Sequence, residues 1–111
     1  MAKLEIDKST RYKPIGYDPA QEKYIYFDEI ITGKEKIIDL NSLTEAEKKK
    51  LIIERHKAGP DYTVQAISGP PLSRDDVVES IERDQDFGLI TVQSEISYLE
   101  TFLDEIRQNL K

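Results

Sequence analysis

The sequence predicts an α+β fold: a small three-stranded antiparallel sheet, two shorter helices and a long amphipathic C-terminal helix. Three observations predict it. Aromatic and β-branched residues crowd the segment Lys23–Ile31, which favours strand. Two helix start signals stand at Thr44 and Ser73. From Leu89 onward apolar residues recur at alternating spacings of three and four, as one face of a helix requires.

In chain order, residues 1–22 read as an extended arm in which Pro14, Gly16 and Pro19 interrupt any regular element, with a turn at Asp18-Pro19. Lys23–Ile31 and Lys36–Leu40 form a β-hairpin closed near Gly33. Thr44 and Glu47 make a capping box that opens a helix running to about Lys57, and Gly59-Pro60 supplies a left-handed cap and a stop. Tyr62–Ile67 is a short third strand, followed by the stiff connection Ser68-Gly69-Pro70-Pro71. Ser73 and Asp76 cap a short helix from Arg74 to about Asp84, with Leu72 and Val77 at staple spacing, and Phe87-Gly88 ends it or bends the chain.

The last element carries the stripe Leu89, Val92, Ile96, Leu99, Leu103, Ile106 and Leu110, widened by Phe102. Such a helix is about 33 Å long. A stripe of this kind is the ordinary wall of a protein's own core. Its length, however, exceeds what one short helix and three strands can cover, which leaves its last turns for a partner. Glu95, Glu100, Asp104, Glu105 and Arg107 fall on the opposite, solvated face. In a parallel self-pair Glu95 meets Glu100 of the twin, so a heterologous or antiparallel pairing is favoured.

A chain of 111 residues, 38% hydrophobic and 34% charged, is apolar enough for one domain with a modest core. It divides into the arm 1–22, an α+β core 23–88 and the helix 89–111. Residues 1–72 hold 12 basic and 12 acidic side chains, while 73–111 hold 4 against 10, so the whole net charge of −6 is C-terminal. That half repels phosphate backbones and attracts basic proteins, which excludes direct nucleic-acid binding from the expectations. The N-terminal residues show no apolar leader and no stretch approaches a membrane span, so a cytoplasmic location is expected.

Candidate chemistry is sparse. There is no Cys, and a single His56 between Arg55 and Lys57 reads as a helix-end cation, so no metal and no cofactor are expected. Asp84, Asp86 and Glu95 imitate part of a calcium loop, but Gly88 falls one place early and Leu89 and Val92 occupy ligand and turn positions. Gly33-Lys34 lacks the rest of a phosphate loop, and Asp86-Phe87-Gly88 copies a kinase tripeptide without its context. Lys48, Lys49, Lys50, Arg55 and Lys57 are diluted by acids and read as a solubilising face. Asp75, Asp76, Glu79 and Glu82 read as a solvated acidic face that could also meet a basic partner.

The resulting expectation is a non-catalytic protein–protein interaction module, a small subunit, adaptor or accessory of a larger assembly. Its candidate partner-binding residues are Leu99, Phe102, Leu103, Ile106 and Leu110 on the helix and Tyr24 and Tyr26 on the hairpin. The partner is another protein or an antiparallel second copy, with no membrane involved. The alternative is a small regulator such as an antitoxin, or an acidic inhibitor that occupies the basic site of a nucleic-acid-binding protein.

Overall fold

The computed structural model describes residues 8–65 and 69–110. The chain is a mixed α+β fold whose last helix is the longest, but the single three-stranded sheet expected from the sequence is replaced by two separate two-stranded antiparallel sheets. After α1 (Lys8–Tyr12), β1 (Gly16–Asp18) pairs with β2 (Lys23–Ile25), Tyr17 facing Tyr24 in register. The turn between them falls where Asp18-Pro19 predicts it, with the Asp18 carboxylate accepting from the Ala20 N–H at 2.9 Å. The expected extended arm is corrected: Lys8–Tyr12 is helical and Gly16–Asp18 is a strand, and Ile15 and Tyr17 are buried in the core.

The second half of the expected hairpin is absent. Phe27–Ile31 is a short helix, α2, because the Tyr26 N–H is satisfied locally by the Glu29 carboxylate at 3.0 Å and two acids stand in the first turn. Gly33, at φ +79°, turns the chain out of this helix as only glycine does freely. Ile37 and Ile38 pack on the core from an irregular segment that leads into a 3-10 turn at Leu40–Ser42.

Helix α3 (Glu45–Ala58) starts at the predicted box, with the Glu47 N–H donating to Thr44 Oγ1 and the Thr44 N–H donating to Glu47. Gly59 ends it at φ −81°, not in the predicted left-handed cap. A Cβ there would stand 2.8 Å from Cε of Lys13, the far end of a side chain that can swing aside. Strand β3 (Thr63–Val64) pairs with β4 (Leu72–Ser73) and is shorter than the predicted Tyr62–Ile67: Tyr62 and Gln65 flank it without joining it, and Ala66-Ile67 lies outside the described residues.

Helix α4 (Arg74–Glu82) carries the Ser73/Asp76 box intact, at 3.1 and 2.9 Å. The Ser73 N–H holds the Asp76 carboxyl below its ordinary range. Ser73→Ala is expected to cost about 0.5–2 kcal/mol in urea denaturation. The carboxylate's own share of the cap is present above the unfolded carboxyl value of about 4 and disappears as pH falls through the lower folded value; because alanine keeps the backbone N–H that Asp76 meets, parent and variant lose most of that share alike and the gap between them should largely persist in acid.

Helix α5 (Asp86–Asn109) begins three residues before the predicted stripe, and the Phe87-Gly88 pair expected to end or bend α4 lies inside its first turn. The bend falls earlier, at Asp84, whose φ is +55°. Helices α3, α4 and α5 and the β1–β2 hairpin close around Ile15, Ile25, Leu51, Ile52, Ile81 and Leu99, all fully buried. Among the described residues no helix is long and apolar enough to cross a membrane.

Candidate functional site

Helix α5 presents two faces, and the structure assigns them differently from the sequence. Leu99, Phe102 and Ile106 are buried in the core cluster, and so is Leu103, only 2% exposed. The expectation that the last turns outrun the rest of the domain is corrected by what covers them. The ring of Phe27 at the start of α2 stacks on Phe102 at 6.0 Å between centroids, and Leu40 of the 3-10 turn lies beside Leu103. A segment read as strand thus becomes the lid over the helix end. Leu110 alone of the five helix candidates stands open, at 52% exposure.

Tyr24, in β2, and Tyr26, just after it, are both half-buried. Tyr24 packs on Tyr17 at 5.4 Å. Burial raises both phenols above their ordinary pKa, with Glu54 adding to each. Ile25 and Phe27, pointing the other way, enter the core.

The opposite face of α5 is not charged over its first four turns. Phe87, Ile90, Ser94, Ser97, Tyr98 and Thr101 line it, spaced as neighbours on one side of a helix, and Phe87, Ile90 and Tyr98 are exposed, Ile90 at 61%. Leu89, read as the start of the core stripe, is also exposed at one edge. The sequence signal for this face was available: Glu95 is the one charged residue between Asp86 and Glu100.

Glu95 itself turns inward, contrary to its predicted place on the solvated face. Its carboxylate meets Nε2 of His56, whose Nδ1 meets the Tyr62 hydroxyl, and its other oxygen lies 3.5 Å from Nε of Arg55. In the neutral ring, the proton sits on Nε2 for Glu95 and Nδ1 accepts from Tyr62. The helix-end surface role predicted for His56 is corrected: both ring nitrogens are engaged inside the fold. Burial raises the Tyr62 phenol pKa, and the nearby Glu95 charge adds to the effect.

Arg55 does not belong to the solubilising face either, being 7% exposed, with Nη1 donating to the Pro14 carbonyl at 2.8 Å. Its Nε makes an ion pair but no hydrogen bond, and burial depresses the guanidinium pKa against the pull of Glu95. An uncompensated charge this deep costs about 3–5 kcal/mol, so Glu95 is what allows Arg55 to sit there. Around Lys13, Arg55, His56, Tyr62 and Glu95 lies a cleft of about 120 Å³. That is small against the roughly 300–1,000 Å³ of a small-molecule site.

The broken calcium pattern is also dispersed: Asp84 pairs with Lys49 at 2.7 Å, Asp86 lies in the first turn of α5 and Glu95 faces His56. Among the described residues no three metal-capable side chains gather. No protein-family model, no curated protein and no solved structure matches the chain.

Proposed function

We propose that the protein is a non-catalytic interaction module, a small subunit, adaptor or accessory of a larger cytoplasmic assembly, and that it docks through the outward face of its C-terminal helix. One observation carries the reading. Of the eight large apolar side chains exposed among the described residues, four sit on α5 and a fifth, Leu110, caps its end, and Phe87, Ile90 and Tyr98 share its uncharged side. Apolar surface gathered on one element of a densely charged chain is what a contact with another protein uses. The saturated hydrogen bonding of His56 and the small cleft beside it support a structural role for the polar cluster in place of a catalytic one.

The test is retention of proteins from a host extract on the immobilised full chain. The parent should retain a partner that the double variant Ile90→Glu, Tyr98→Glu releases, while both melt at the same temperature. Equal recovery by the two, or nothing recovered by the parent, overturns the reading.

A further inference from the structure

The outward face of α5 meets a groove at its first turn. Pro70, Pro71 and Leu72 form one side, Phe87 contributes from α5, and Asp76 and Glu79 of α4 line the same space, about 400 Å³ in volume. Its walls are stiff: two consecutive prolines fix their own φ angles, Leu72 is tied into β4, and α4 begins at the next capped residue. Both acids are exposed. The Asp76 charge is pinned by the Ser73 N–H, and Glu79 meets Arg83 only in an exposed pair at 2.8 Å, which an incoming cation can replace at little cost.

Another groove, of about 430 Å³ beside Tyr24, is lined by Lys49, Lys50 and Lys57 together with Glu54 and Glu82. Its mixed signs define no complementary charge. The groove at Phe87 does, because its apolar walls stand beside acids of one sign, and those acids belong to residues 73–111, which carry the entire net charge of −6.

We infer that the groove between Pro70–Leu72, Phe87 and α4 receives a large apolar side chain of a partner protein, flanked by lysine or arginine residues that meet Asp76 and Glu79. The inference rests on the reading of the protein as an interaction module and names the chemistry of its partner. The apolar side chain gains by burial between Phe87 and the prolines, and the flanking cations set its position and speed its approach. The preformed walls spare much of the ordering cost of binding.

The experiment is a fluorescence-anisotropy titration of the full-length protein against a dye-labelled synthetic peptide with one tryptophan between pairs of lysine and arginine. Binding in the micromolar range is expected, weakened about tenfold by each of three changes: Phe87→Ala, Glu79→Lys, and tryptophan replaced by serine in the peptide. Melting curves verify that both protein variants remain folded. Equal binding of the two peptides, indifference to Phe87→Ala, or no binding at millimolar protein overturns the groove. If peptide binding fails while the host partner still depends on Ile90 and Tyr98, the groove falls and the interaction module stands. If the peptide binds through Phe87 while the Ile90, Tyr98 variant retains every partner, the docking face on α5 falls instead.

Discussion

Leu103→Asp is expected to unfold the protein as completely as Ile96→Asp. Both side chains lie in the same buried cluster, Leu103 lining one small cavity with Leu40 and following Phe102, whose ring stacks on Phe27. Truncating a buried leucine costs about 2–5 kcal/mol, and forcing a carboxylate into the same space adds the cost of desolvating or protonating it. Together these consume the roughly 5–15 kcal/mol that a domain of this kind has to lose. Circular dichroism should show no cooperative melt for either variant, whereas Leu110→Asp, at an exposed position, should melt close to the parent. A folded Leu103→Asp protein would mean that α2 and the 3-10 turn do not cover the helix end.

Gly88→Ala sets two effects against each other. Within a helix the change gains about 1 kcal/mol from propensity. Here the added Cβ would stand 2.3 Å from the carbonyl oxygen of Ser80, 2.4 Å from its carbon and 2.5 Å from the Ile81 nitrogen. All three are backbone atoms of α4, so no rotamer relieves the overlap and the helices must part along their tightest contact. Overpacking of a closed core costs about 1–3 kcal/mol, and more where only backbone can yield. Sterics therefore wins, and urea and thermal unfolding should show a loss of several degrees in Tm, with Ser94→Ala, on the open face of the same helix, unchanged or slightly raised. An unaltered Gly88→Ala protein would place α4 and α5 further apart than described.

What could be read in advance was what is decided within a few residues. The Thr44 and Ser73 boxes close over three residues, and the period of α5 repeats along its own length, so both survive folding unchanged. The segment after Lys23 misled because apolar density alone does not separate a strand from a short helix; Glu29 folding back on the Tyr26 N–H decided it. The candidate site misled for the opposite reason. Whether Leu103 is covered depends on Phe27 and Leu40, and whether Glu95 is solvated depends on Arg55 and His56, all far away in the chain. Proximity of that kind leaves no periodic trace. The uncharged run around Glu95 was the one local sign of both its inward partner and the neutral outer face.

The placement of Arg55 joins three distant parts of the chain. Its side chain holds the Pro14 carbonyl, 41 residues before it, and approaches Glu95, almost as far after it. The α4–α5 pair and the capped helix ends need only short loops to close, whereas this bridge requires the beginning, middle and end of the chain already assembled, against the entropy of two long closures. The guanidinium therefore acts as a tie: one side chain on α3 joins the segment entering the N-terminal hairpin to the C-terminal helix.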